Sequence, residues 1–161
     1  MMKKLLLFVI LLPLFLLTKA QTEIVKWTFP NNVLGDTVQN STNALNLNQA
    51  LRADGTSGIT MKNGATTFAA QATNWDNGMA TKNWNIRVNT TGYNNLKISS
   101  KQQVGGTNGG PKDFILQYKI GSSGTWKDIP GGIVTLANDW NTGTITDLAL
   151  PAECNDQPDL V

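Results

Sequence analysis

Trp84-Asn85-Ile86-Arg87-Val88-Asn89 decides the fold, because its apolar and polar residues alternate one by one. Successive side chains of a β-strand point to opposite faces, so the apolar three are predicted on one face and the polar three on the other. Leu96–Lys101 and Phe114–Ile120 alternate in the same way. We therefore predict three half-buried strands, and a core that includes Ile86, Val88, Leu96, Ile98, Phe114, Leu116 and Tyr118.

The same signals predict further strands on either side of this region. They are Ile24–Phe29, Trp126–Ile129, Ile133–Leu136 and Thr144–Leu150. Asn43–Ala53 stays ambiguous, because its apolar residues suit a short helix but Asn and Gln fill the gaps. Short strands separated by Gly, Asn and Pro turns predict an all-β fold, an antiparallel β-sandwich of the jelly-roll type.

Asp159-Leu160-Val161 has the pattern of the first residues of a strand that does not continue. We therefore expect the last strand or strands of the sandwich to be missing and the domain to be incomplete at its carboxy end. The missing neighbours should leave a strand edge unpaired and part of the apolar core exposed.

Residues 1–20 have the layout of a secretory signal peptide. Met1–Lys4 is basic, Leu5–Leu17 is apolar apart from Pro13, and Thr18-Lys19-Ala20 offers small residues before Gln21. The apolar run has 13 residues, about 20 Å of helix against a hydrocarbon core of roughly 30 Å, so a signal fits better than a membrane anchor. We predict cleavage before Gln21 and a single domain over residues 21–161, secreted or at the cell surface.

The charge of the predicted mature chain is close to neutral. The full sequence has 13 Lys and Arg against 11 Asp and Glu, and Lys3, Lys4 and Lys19 belong to the predicted signal. A neutral chain with scattered charges has no electrostatic footprint for nucleic acid or anionic lipid. We predict no nucleic-acid partner, and no membrane contact after the signal is cleaved.

The chain contains no histidine and one cysteine, Cys154. The usual general base, the Ser–His pairing and the commonest transition-metal ligand are therefore missing. Paired carboxylates remain the one open route to catalysis, and no such motif stands out. We predict a protein that is not an enzyme, with no catalytic residues, no cofactor and no metal site.

The five tryptophans fall into two groups. Strand alternation assigns Trp27, Trp84 and Trp126 to the core. The other two lie in polar loops, where an indole flanked by amides and carboxylates is suited to stacking on a sugar, and where plugging an end of the sandwich is the alternative. The candidate ligand-binding residues are Trp75, Asp76, Asn77, Asn138, Asp139 and Trp140. Their oxygens also suit Ca²⁺, but no Asp-x-Asp-x-Asp loop is present, so calcium binding stays open.

Four segments together resemble a known module. They are Gly64–Gly78, Thr81–Ile86, Gly110–Tyr118 and Gly124–Ile129. In their order they resemble a jelly-roll or galactose-binding-like β-sandwich module of secreted and surface proteins from gliding, polysaccharide-degrading bacteria. The resemblance covers Ile24–Val161 and implies a non-catalytic module linked to other domains of a larger protein. Such modules continue with an aromatic-rich strand and a final acidic strand, which this sequence lacks.

Three functions are compatible with these observations. The first is a secreted recognition module with a polysaccharide or other glycan as its partner. The second is a purely structural spacer or interaction domain. The third is an enzyme fragment, such as the accessory region of a hydrolase.

Overall fold

A computed structural model describes residues 21–106 and 109–161. The predicted signal peptide, residues 1–20, lies outside the described residues, as do two residues of the 104–112 loop. The described residues form eight strands: β1 Arg52–Asp54, β2 Ile59–Asn63, β3 Phe68–Ala72, β4 Asn83–Asn85, β5 Lys97–Gln102, β6 Asp113–Tyr118, β7 Lys127–Thr135 and β8 Gly143–Ala149. The only helical elements in the described part are three short 3-10 helices, Leu34–Thr37, Ala44–Asn46 and Ala152–Cys154. The predicted all-β class is confirmed.

The strands associate as four antiparallel pairs. β1 pairs with β4, β2 with β3, β5 with β8, and β6 with β7. Each pair is a two-stranded sheet, and isolated bridges add contacts outside the named strands. The predicted antiparallel arrangement is therefore confirmed.

Three predicted strands agree with the structure to within two residues at each end, namely β5, β6 and β8. The deciding stretch is divided: β4 covers only Asn83–Asn85, and Val88 pairs separately with Leu160. The β2–β3 hairpin and β1 were not predicted. Ala, Lys, Asn and Gln are prominent in them, and these residues are depleted in strands or carry little β signal.

The predicted strand Ile24–Phe29 is wrong, because the structure assigns no strand to it. Its carbonyl groups bond instead to two separate segments: Asn40 N donates to Lys26 O at 2.7 Å and Phe68 N to Phe29 O at 3.2 Å. Phe29 has a φ of 46°, in the left-handed region, which turns the chain away from an extended path. Regular ladder pairing on one neighbour cannot develop here.

The two strands predicted on either side of Pro130-Gly131-Gly132 are one strand, β7. At the predicted break the β6–β7 pairing is irregular: Ile115 pairs with Ile133 but Gln117 pairs with Asp128, so the register shifts between them. Proline offers no N–H to the ladder, and Gly131 adopts a φ of 75° that a side chain would disfavour.

Two apolar clusters form the core. One contains Leu96, Tyr118, Ile129, Cys154 and Leu160, and the other contains Val104, Val134 and Leu136. Leu116 packs against both clusters. Of the predicted core residues, Val88, Leu96 and Tyr118 are buried, whereas Ile86, Ile98, Phe114 and Leu116 are half-buried.

The segment Asp159-Leu160-Val161 is hydrogen-bonded on both sides, and the incompleteness expected of the domain stays a prediction. On one side Leu160 and Val88 exchange two backbone hydrogen bonds of 2.8 and 2.9 Å. On the other side Val161 and Lys119 exchange two of 2.9 and 3.0 Å, and Gly121 N donates to Asp159 O at 2.8 Å. The Leu160 side chain is 6% exposed and belongs to the first core cluster. This segment therefore joins the region of Val88 to the end of β6.

Candidate functional site

Trp75, the first of the predicted ligand-binding residues, lies in an aromatic cluster. Its ring centroid is 5.8 Å from that of Trp84, and 5.6 Å from that of Phe114 in an edge-to-face arrangement. Its Nε1 donates to Ala72 O at 2.8 Å. The side chain is half-buried, which is the arrangement expected of an end plug, and sugar binding by Trp75 stays a prediction.

Asp76 and Asn77 follow in an exposed turn. The Lys82 ammonium closes this turn, donating to Asn74 O and Asp76 O at 2.7 Å each. Asn77 has a φ of 53°, a left-handed conformation that asparagine tolerates better than most residues.

The second predicted group, Asn138-Asp139-Trp140, shapes its own loop. Asp139 Oδ1 accepts hydrogen bonds of 2.7 Å from the backbone N–H groups of Asn141 and Thr142, and Oδ2 accepts one of 2.9 Å from Thr142 Oγ1. These bonds favour the charged form and lower the pKa of Asp139. Trp140 is half-buried, and Asn138 Oδ1 accepts from Gln103 Nε2 at 3.1 Å. Among the described residues, no hydrogen bond joins Trp75–Asn77 to Asn138–Trp140.

No cluster of three or more metal-ligating side chains of the kind that holds an ion occurs among residues 21–106 and 109–161. Binding of a structural Ca²⁺ therefore stays open.

A groove lies at a different place on the protein. It has a volume of about 330 Å³, and we call it the Trp126 groove. It is lined by Arg52, Asp54, Asn83, Asn85, Arg87, Lys119, Ser122, Trp126 and Val161. None of these residues belongs to the two predicted groups.

The β1–β4 pair supplies the polar wall of the Trp126 groove. Arg52 stands opposite Asn85, and Asp54 stands opposite Asn83. Asn85 Nδ2 donates to the Asp54 carboxylate, and also to Asn83 Oδ1 at 3.0 Å. Between them Trp84 contacts Trp75 in the aromatic cluster, so the alternation of the deciding stretch separates a polar face from an aromatic one.

Arg87 continues this polar row and is fixed by Asp159. Arg87 Nε and the terminal guanidinium nitrogen donate to the two carboxylate oxygens at 2.6 and 2.7 Å, which is bidentate geometry. The pair raises the pKa of Arg87 and lowers that of Asp159. The carboxy-terminal segment therefore also positions one cation of the groove.

Trp126 also lines the groove and is 40% exposed, so its predicted core position is wrong. The strand begins one residue later, at Lys127, and Trp126 lies outside the alternating pattern. Lys119 Nζ is 4.8 Å from the ring centroid and donates to Ser122 O at 3.1 Å. A cation over an aromatic face is a favourable contact that restrains both side chains.

The other two tryptophans that were predicted in the core, Trp27 and Trp84, are half-buried. Trp27 Nε1 donates to Thr37 O at 2.7 Å. The signal that could have found the groove was present in the sequence: a polar row in the deciding stretch, and a tryptophan two residues after the end of a Gly-Ser-Ser-Gly turn. No spacing rule connects these two features across the fold.

Comparisons with family models, with curated proteins and with solved structures found no match to this chain. Within residues 21–106 and 109–161, the structure contains no helix long and apolar enough to cross a membrane.

Proposed function

We propose that this protein is a secreted, non-catalytic recognition module that binds a glycan in the Trp126 groove. In this proposal the four antiparallel pairs belong to a jelly-roll-like β-sandwich, and residues 1–20 direct secretion. The proposal extends the resemblance to modules of gliding, polysaccharide-degrading bacteria, where such a domain sits beside others in a larger protein.

The observation that carries the proposal is an exposed indole that lines the same groove as a row of hydrogen-bonding side chains. Sugars present apolar C–H faces that stack on aromatic rings, and hydroxyl groups that both donate and accept hydrogen bonds. An amphipathic aromatic surface beside a few fixed polar groups meets both needs. Trp126 supplies such a surface, and Asn83, Asn85 and Ser122 supply donors and acceptors of both kinds.

The polar wall is already ordered before any ligand binds. Asn85 is held by Asp54 and Asn83, and Arg87 is held by Asp159. Among the hydrogen bonds of the described residues, none engages Asn83 Nδ2 or Asn85 Oδ1, so each can pair with a hydroxyl group. A preorganised wall reduces the entropy that binding must overcome.

The test is a glycan array followed by titration calorimetry on the purified protein. We expect Trp126→Ala to weaken binding about tenfold, because removing one stacked aromatic ring loses roughly 1.4 kcal/mol. Trp140→Ala is the matched control, since it removes a half-buried tryptophan outside the groove. Circular dichroism would show that both variants remain folded.

Each other outcome has a definite meaning. Loss of binding in Trp140→Ala but not in Trp126→Ala would move the site to the loop that the sequence predicted. Binding to no glycan would reject recognition in favour of a structural spacer. Turnover of a saccharide, phosphoester or nucleic acid would reject the non-catalytic assignment.

A further inference from the structure

Resting on this proposed function, we infer that the glycan is acidic: a saccharide carrying carboxylate groups, selected by Arg52 and Lys119. These two residues are then the specificity-determining residues of the Trp126 groove. Trp126 and the asparagines would bind any sugar of suitable shape, whereas the two cations distinguish a uronic acid from the neutral sugar of the same configuration.

The side chains that line the groove carry an excess of positive charge. Three of them are cations, Arg52, Arg87 and Lys119, and one is a carboxylate, Asp54. Asp159 compensates Arg87 through two short hydrogen bonds. Among the groove side chains, Arg52 and Lys119 therefore face one carboxylate, Asp54, and the terminal carboxylate of a chain that ends at Val161 is the other negative charge beside the groove.

Within the part of the chain that the structure describes, Arg52 has no ion-pair partner. The salt bridges of the described residues join Lys26 to Glu23, Arg87 to Asp159 and Lys127 to Glu153, and none involves Arg52. The carboxylate closest along its strand, Asp54, accepts instead from Asn85. A guanidinium is a planar fork that matches a carboxylate in bidentate geometry, so a uronate would complete the bonding that this residue lacks.

Lys119 holds its charge against the Trp126 ring. Its ammonium lies 4.8 Å from the centroid of the Trp126 ring and bonds to one backbone carbonyl, Ser122 O. An ammonium has three donors, so two remain for a ligand. A carboxylate on a ring stacked against Trp126 would lie within reach of this ammonium.

The test compares sugars that differ only at one carbon. Calorimetry would measure oligosaccharides of galacturonate against galactose, glucuronate against glucose and mannuronate against mannose, matched in length and linkage. In at least one pair we expect the acidic member to bind about tenfold more tightly, because hydrogen bonds to charged groups are roughly twice as strong as neutral ones. Raising the salt from about 0.05 to 0.5 M should weaken the acidic ligand selectively, since solvent-exposed charges are screened.

Variants assign this preference to residues. Arg52→Gln and Lys119→Gln should each weaken the acidic ligand about threefold to tenfold, and by more than they weaken the neutral ligand. Lys62→Gln is the control, because Lys62 is an exposed cation on β2, outside the groove. A recombinant chain that ends at Val161 carries a terminal carboxylate beside the groove, so a version with two added glycines moves that charge away and should bind the acidic ligand at least as tightly.

The outcomes separate this inference from the proposed function. Equal affinity for acidic and neutral members, abolished by Trp126→Ala, would overturn the acidic preference and leave glycan recognition intact. A preference unchanged in both Arg52→Gln and Lys119→Gln would overturn the assignment to these residues. Absence of binding to every saccharide would reject the proposed function itself.

Discussion

Replacing Leu160 by alanine tests whether the carboxy-terminal segment is part of the folded core. Leu160 is 6% exposed and packs in one cluster with Leu96, Tyr118, Ile129 and Cys154. Its backbone is bonded to Val88. The substitution removes the packing of the side chain while the backbone pairing can remain, so it isolates the contribution of burial.

The expected loss of stability follows from the burial of the Leu160 side chain. Three carbon atoms leave the core, which loses about 2.4 kcal/mol at about 0.8 kcal/mol for each. The cavity that remains adds to this cost, and leucine-to-alanine substitutions in cores fall at about 2–5 kcal/mol. We therefore expect a decrease of about 3 kcal/mol in the free energy of unfolding, a large share of the roughly 5–15 kcal/mol of a typical domain.

Urea unfolding followed by tryptophan fluorescence measures this change. We expect a lower midpoint with an unchanged m value, because the surface exposed on unfolding stays the same. Leu34→Ala is the matched control: this leucine is 61% exposed on a 3-10 helix and should lose at most about 1 kcal/mol. If the two variants lose equal stability, Leu160 is not held in the core and the pairing on both sides of this segment is not maintained in solution.

Two further predictions concern ionisation. Hydrogen bonds from Arg87 lower the pKa of Asp159 below its ordinary 3.8, so the Asp159 carboxylate should stabilise the protein above about pH 4 and lose this effect as the pH falls through the folded-state pKa. In urea melts, Asp159→Asn should therefore be less stable than the parent at pH 7, and the difference should shrink on acidification. The control variant Glu23→Gln, in an exposed pair with Lys26, should change stability little. Cys154 is fully buried, and burial raises the pKa of its thiol to about 11. A thiol reagent at pH 8 should therefore modify Cys154 slowly in the native protein and rapidly in urea. Equal rates of modification in both conditions would contradict the burial of this side chain.

Much of the fold could be predicted because strand alternation is a local property. The apolar and polar faces of the deciding stretch separate as expected, with Trp84 in the aromatic cluster and Asn85 in the groove wall. In β6, Phe114, Leu116 and Tyr118 alternate along the strand, β5 carries one apolar residue in alternation near its start, and β8 contains the run Thr144-Ile145-Thr146; each of the three strands was predicted. The β2–β3 hairpin lacks that signal, and tertiary contacts rather than propensity decide its conformation.

The candidate site depended on information that a local pattern does not contain. Trp126 lies outside the strand because β7 begins at Lys127, and element boundaries are the least certain part of a sequence-based assignment. The groove also joins Arg52, Arg87 and Lys119, which lie on separate parts of the chain. Likewise the pairing partners of Leu160 lie at Val88 and in the region after β6, at a distance along the chain that alternation cannot reveal.

The long-range pairing of Leu160 has a consequence for the order of events during synthesis. Arg87 and Asp159, which meet in the folded protein, are 72 residues apart in the sequence. A ribosome adds about 5–20 residues per second, so translation from Lys119 to Val161 takes roughly 2–8 s. Throughout that interval the nascent chain holds two strand segments whose shared neighbour has not yet been made. This interval is long compared with the time of hydrophobic collapse. A chaperone that shields the two segments would therefore favour correct assembly over association of unfinished chains.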